Sequence, residues 1–149
     1  MSLRVLAFLP HPAAAASGRY RAYQMAPYLR ECGVELDIHP FLSDAAFSRL
    51  YVRGRLVRKA IDLTSGAVRR WIDLGRARHY DLVLIHRELW PLRGTAPLAR
   101  LRRNQPRWVF DFDDAVYVPN VSEANRAFAR MKAFDQPRHL AAGARIVTA

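Results

Sequence analysis

The chain holds one cysteine, Cys32, in 149 residues. A lone thiol excludes an internal disulfide, so nothing covalent staples the fold, and it suggests a reducing compartment. Glycine is sparse too, and the loop after the first apolar run has Gly18 alone. There is therefore no G-x-G-x-x-G fingerprint and no Walker A loop. No Cys/His cluster is spaced for zinc, and no G-x-S-x-G elbow is present. No run reaches the ~18 apolar residues that a membrane span needs. The apolar start, Arg4 to Ala16, is too short for a signal peptide and is broken by Pro10, His11 and Pro12. Acid is also scarce. Thirteen Asp and Glu stand against 24 Lys and Arg, for a net charge of +11. That excess implies an anionic partner: a phosphorylated ligand, nucleic acid or an acidic lipid surface.

What is present is a globular composition, 51% apolar, in one domain spanning residues 1–149. Arg4–Leu9 reads as a buried strand, followed by a loop to Ser17. Residues 18–31 read as one helix, with Ser17 as N-cap, a kink at Pro27 and a stop at Gly33. Val34–His39 is the second strand. Residues 43–80 are helical with a break near Val52–Gly54. There Val57, Ile61, Thr64, Val68, Trp71 and Ile72 form one stripe. The rest of that helix carries Arg53, Arg55, Arg58, Lys59, Arg69, Arg70, Arg76 and Arg78. Asp81–Ile85 is the third strand, Thr95–Arg103 a short helix, and Arg107–Phe112 the fourth strand. Asn120-Val-Ser-Glu123 is a capping-box pattern opening a helix through Ala124, Phe128, Met131 and Phe134. Arg145–Thr148 begins a fifth strand. Strands alternating with helices predict an α/β fold: a Rossmann-like parallel sheet with helices on both faces, in order 3-2-1-4-5. A last strand without a covering helix predicts a longer parent protein.

The chemistry gathers after the strands. Trp108, Val109, Phe110 and Phe112 read as a buried strand that ends in three carboxylates, Asp111, Asp113 and Asp114. Acid so near a core is costly, and it belongs at the carboxyl end of a parallel strand, where open α/β sheets bind ligands. The other strands feed loops carrying Ser17, Arg19 and Arg21; Ser43 and Asp44; and His86, Arg87 and Glu88. Arg19 and Arg21, in the first turn of a helix, offer forked donors to a phosphate or carboxylate. His86 carries an imidazole, which fits an acid, base or donor role.

These stretches together resemble a known family. Ser-Gly-Arg-Tyr-Arg at 17–21, Tyr-Asp-Leu-Val-Leu-Ile-His-Arg-Glu at 80–88 and Phe-Asp-Phe-Asp-Asp-Ala-Val-Tyr at 110–117 are similar to the N-terminal domain of GT-B glycosyltransferases, in the retaining, family-4-type branch that includes bacterial cell-surface sugar transferases. Arg4–Leu9 and residues 27–36 extend the likeness over nearly the whole chain. The resemblance implies half of a two-domain enzyme, with this half holding a glycan or lipid-linked acceptor. The other domain would hold the nucleotide-sugar, which is a co-substrate; no resident cofactor or metal is implied. It assigns the catalytic position to Asp113 or Asp114. Acceptor binding falls to Ser17, Arg19, Arg21, His86, Arg87, Glu88 and Asp111. It also implies work in cell-envelope polysaccharide synthesis, in the cytoplasm or peripherally on the inner face of the membrane, and an inactive fragment if the donor half is absent. The first loop departs from the family in lacking paired glycines, which removes a donor-phosphate contact there.

Two other readings compete. Asp111-Phe-Asp113 matches the Asp-x-Asp signature of haloacid-dehalogenase-like phosphatases, in which the first Asp is the nucleophile, although that strand normally opens their fold. The charge alone would suit a nucleic-acid-binding module. Against that, the basic residues concentrate on one amphipathic helix and no nucleic-acid motif accompanies them. The same helix, arginines beside an apolar stripe, reads as a surface for anionic lipid.

Overall fold

The computed structural model describes residues 2–113, 128, 130–132 and 134–149. Among these, five parallel strands form one sheet: β1 (Leu3–Leu9), β2 (Val34–Pro40), β3 (Leu82–His86), β4 (Trp108–Asp111) and β5 (Ile146–Thr148). β1 lies inside the sheet because Val5 to Leu9 is an unbroken apolar run, buried throughout. The helices are α1 (Ala16–Gly18), α2 (Ala26–Glu31), α3 (Asp44–Arg49), α4 (Leu56–Arg76), α5 (Ala96–Asn104) and α6 (Gln136–Gly143).

The expected parallel α/β sheet is present, but its order is 2-1-3-4-5, not 3-2-1-4-5. The chain reverses direction after β2, so β3 crosses to the other flank of β1. The reason is written in β2. Glu35, Asp37 and His39 alternate with Leu36 and Ile38, and both charged residues are exposed; this is the pattern of an edge strand, wet on one face. Leu82-Val-Leu-Ile is apolar on both faces and belongs inside. The switch point therefore falls between β1 and β3 rather than between β1 and β4.

The reversal sorts the helices. On one face, Leu6, Phe8, Val83, Ile85, Trp108 and Phe110 pack against Leu74 and Ala77 at the end of α4, Leu98 and Leu101 of α5, and Leu140 of α6. On the other, Ala7 and Leu9 pack with Ala22, Tyr23, Leu36, Ile38 and Leu84. Each fully buried leucine in such a core contributes roughly 1.5–3 kcal/mol. Phe41, Leu42 and Ala46 form a smaller cluster with Leu50, Leu63, Ala67 and Trp90.

Three local expectations change. The single helix over residues 18–31 is instead α1, a π-helical turn at Arg19–Tyr23, and α2. Pro27 kinks nothing, because it lies in the first turn of α2, where its missing N–H has no partner to lose. Arg70 is not on the solvated face of α4 but is 2% exposed. The capping box at residues 120–123 lies outside the described residues, as does most of the helix expected to follow it; the helix described there is α6.

Candidate functional site

β3, β4 and β5 end in register. His86 stands opposite Asp111, and Asp111 opposite Thr148. Side chains alternate along a strand. Ile85 packs on the α5 face and Leu84 on the face of the π-helical turn, so His86 belongs to the latter. α1 and that turn sit over the same edge. The short connection from β1 thus brings Ser17 and Arg21 onto His86 and Asp111.

A relay results. Ser17 Oγ lies 2.6 Å from His86 Nε2, and His86 Nδ1 lies 2.7 Å from Asp111 Oδ2. A carboxylate only accepts, so Nδ1–H donates to Asp111, and this fixes which ring nitrogen faces Ser17. The second Asp111 oxygen accepts from Arg21 Nη1 at 3.0 Å and from Thr148 Oγ1 at 2.8 Å. Burial pushes the Asp111 carboxyl up. The hydrogen bonds from His86 and Thr148, with the charges of His86 and Arg21, outweigh it and hold Asp111 below the usual carboxylate value. His86 is 1% exposed.

Asp113 meets the relay from its other end. Arg87 Nε lies 3.2 Å from its Oδ1, and Ser17 stands near enough to stabilise its charged form. Burial raises this carboxyl, but Ser17 and the charges of Arg87 and His86 bring it below its ordinary value. Ser17 thus has one proton and two acceptors in reach. Either it donates to neutral His86, or it donates to Asp113 and accepts from His86. Arg87 itself has φ +66°, a left-handed conformation that is uncommon outside glycine and tends to persist at functional sites. Its N–H donates to the Asp111 carbonyl at 2.7 Å, which locks the loop after β3 to β4.

Ser17, Arg21, His86, Arg87, Asp111 and Asp113 therefore converge at the carboxyl edge. Ser17 does not act as N-cap: Ala15 holds that position, and Ser17 lies inside α1 with its hydroxyl spent on the relay. Arg21 is not a waiting anion site, because Asp111 engages it. Arg19 stands apart, its guanidinium 5.3 Å from the Tyr20 ring centre. Ser43 caps α3 by accepting from Ala46 N–H. Glu88 is enclosed, and burial outweighs the nearby Lys132, Arg70 and Arg87 to push its carboxyl up. Asp114 lies outside the described residues.

Four contributors have no motif to announce them. Thr148 is the polar end of an edge strand. Gln136 Oε1 accepts from Leu89 and Trp90 N–H, both at 2.9 Å, and steadies the loop after His86. His11 is enclosed near Arg87, Lys132 and His86, and burial followed by those charges brings it down to about 4. Arg70 donates to the carbonyls of Leu89 (2.6 Å), Leu9 (2.9 Å) and His39 (3.0 Å), with its guanidinium 4.4 Å from the Phe8 ring centre. It ties together the ends of β1 and β2 and the loop after β3. Burial is strong enough to bring it down to about 9 despite Asp73 and Glu88.

Among the described residues no group of three or more His, Cys, Asp or Glu is placed to hold a metal. No protein-family model, curated protein or solved structure matches this chain.

Proposed function

We propose that this chain is the acceptor-binding domain of a retaining, family-4-type glycosyltransferase that moves a sugar from a nucleotide-sugar to a glycan or lipid-linked acceptor. The observation that carries the reading is the convergence of Ser17, His86, Asp111 and Asp113 at the carboxyl edge, beside the β1/β3 switch point. Sugars are recognised through hydroxyls, and hydroxyls need fixed donors and acceptors. Asp113 is the more open end of the relay, its side chain 24% exposed against 11% for Asp111. Held ionised by Arg87 and Ser17, it accepts a hydrogen bond from an acceptor hydroxyl. As that hydroxyl attacks, its proton is taken up at Asp113 or, through Ser17, at His86, whose charge Asp111 then balances.

Asp111 fits this reading better than a phosphatase nucleophile does. Both of its oxygens are engaged and it sits on the fourth strand. The donor pyrophosphate must be neutralised as it leaves, which takes several positioned cations; Arg21 and Arg87 are committed to carboxylates. A second, donor-binding domain would supply them. The test incubates the gene's whole product, and this chain alone, with labelled nucleotide-sugars. Transfer by the whole product only is expected. Equal transfer by both would overturn the two-domain reading.

The Ser17–His86–Asp111 order also matches the hydroxyl, imidazole and carboxylate of a serine hydrolase. A fluorophosphonate separates the readings. It labels Ser17 in a hydrolase and leaves it unlabelled in the transferase, where Asp113 competes for the hydroxyl proton.

A further inference from the structure

α4 is built inside out. Its inward face carries Lys59, Gly66, Arg70, Asp73 and Leu74, all buried. Polar groups there are anchored. Lys59 Nζ donates to Leu50 O at 3.0 Å, Arg70 holds its three carbonyls, and Asp73 lies 2.9 Å from His39 Nδ1. Gly66 lets the helix press in: a Cβ there would come within 2.6 Å of the Phe41 carbonyl oxygen. The helix cannot roll to bury its apolar residues without breaking these contacts. Those residues face out instead, with Val57 77% exposed and Val68 55%. Ile61, Trp71 and Ile72 are exposed along the same line. From Val57 to Ile72 the stripe is roughly 22 Å long at 1.5 Å per residue.

Its borders are basic. Arg58, Arg69 and Arg76 are exposed and share one row along the helix. On the opposite border Arg100 of α5 stands 4.8 Å from the Trp71 ring centre and donates to the Trp71 carbonyl. The two acids of α4 turn away: Asp73 is buried, and Asp62 is held by Arg49 at 2.9 Å. An exposed apolar row bordered by arginine and free of outward acid matches a surface that lies in the plane of a bilayer. No helix among the described residues is long and apolar enough to cross one.

We propose that the outer face of α4, Val57 to Ile72, docks this chain on an anionic lipid surface, with the aliphatic side chains and Trp71 entering the headgroup boundary and Arg58, Arg69 and Arg76 meeting lipid phosphates. Charge selects this occupant. A second copy seated face to face would bring two arginine rows together on chains that each carry +11, which like-charge repulsion opposes. Anionic lipid complements both the stripe and its borders. Binding requires no turnover, so it stands apart from the transferase reading.

The test is sedimentation of the chain with vesicles of phosphatidylcholine alone, or of phosphatidylcholine mixed with phosphatidylglycerol, at low and high salt. The mixed vesicles should bind the chain, more weakly at high salt, and the neutral ones should not. Val57→Asp with Val68→Asp alters only exposed positions and should cut binding at least tenfold with an unchanged urea midpoint. Arg58→Glu should weaken it and flatten the salt dependence. Equal binding to both vesicles, no binding to either, or indifference to Val57→Asp with Val68→Asp would overturn the proposal. So would self-association of the chain in ultracentrifugation that these substitutions abolish, since a second copy would then cover the stripe.

Discussion

His86 and Asp111 are register partners on adjacent parallel strands, and their side chains meet at 2.7 Å, Nδ1 to Oδ2. Both are buried. Removing one partner from a buried pair strands the other, at a cost of about 3–5 kcal/mol. Asp111→Asn should therefore lower stability by several kcal/mol near neutral pH. An amide cannot accept from His86 on one atom and from Arg21 and Thr148 on the other. Urea denaturation measures this; a loss below about 1 kcal/mol, in the range of an exposed pair, would mean that the relay does not hold the edge together.

Arg70 should be as sensitive and harder to replace. Its planar fork serves three carbonyls at once, which a lysine ammonium on a flexible stem does not reproduce. Arg70→Met leaves those carbonyls short of a donor, each costing about 1–3 kcal/mol where it stays dry. Arg70→Lys should recover little of the loss. A lysine variant as stable as the parent would show that burial of charge, rather than the fork, is what the position requires.

Gly66→Ala tests the seat of α4. In an open helix that change stabilises by about 0.8–1 kcal/mol. Here the added methyl would stand 2.6 Å from Phe41 O and 2.8 Å from its ring. Backbone cannot swing aside like a side-chain tip, so the sign should reverse to a loss of about 1–3 kcal/mol. A raised urea midpoint would contradict the close approach.

Much of this was legible in the chain, and the misses have physical causes. Strand and helix alternation gave the parallel sheet, because Leu82-Val-Leu-Ile and Val5 to Leu9 are too apolar for anything but a covered strand. Strand order is harder to read, because the crossover rule allows both 3-2-1-4-5 and the observed 2-1-3-4-5. The signal that separates them is the alternation of Glu35, Asp37 and His39, which marks an edge. His86 and Asp111 stood out as polar residues closing apolar runs. Thr148 did not, since a threonine at a strand end is ordinary. Arg70 was hidden among arginines, and only the fold shows which of them points inward. Ser17 reads as a cap because serine before a helix usually is one; the helix begins two residues earlier, at Ala16, and leaves the Ser17 hydroxyl to His86.

His11 gives the pH dependence a sign. In the unfolded chain it titrates near 6.5, and in the fold it is brought down to about 4, chiefly by burial. Between those values the unfolded chain binds a proton that the fold refuses, so stability is lost as pH falls from about 6.5 toward 4. His39 runs the other way: its bond to Asp73 raises it, and its contribution is full below 6.5 and lost as pH rises through the folded value. Comparing His11→Gln with the parent cancels His39. The variant should lose less stability over that acid window, and identical urea midpoints throughout would refute the assignment.

The central claim is that the carboxyl edge serves the acceptor. Its most direct measurement takes Asp113→Ala and His86→Gln in the gene's whole product and records turnover beside binding of the nucleotide-sugar. If Asp113 and His86 handle the acceptor hydroxyl, turnover falls by roughly 10²–10⁴-fold, the usual weight of acid–base catalysis, while donor affinity stays at the parent value. Donor affinity falling in step with turnover would place the donor at this edge, and unchanged turnover in both variants would leave the relay without a part in the reaction; either result contradicts the account.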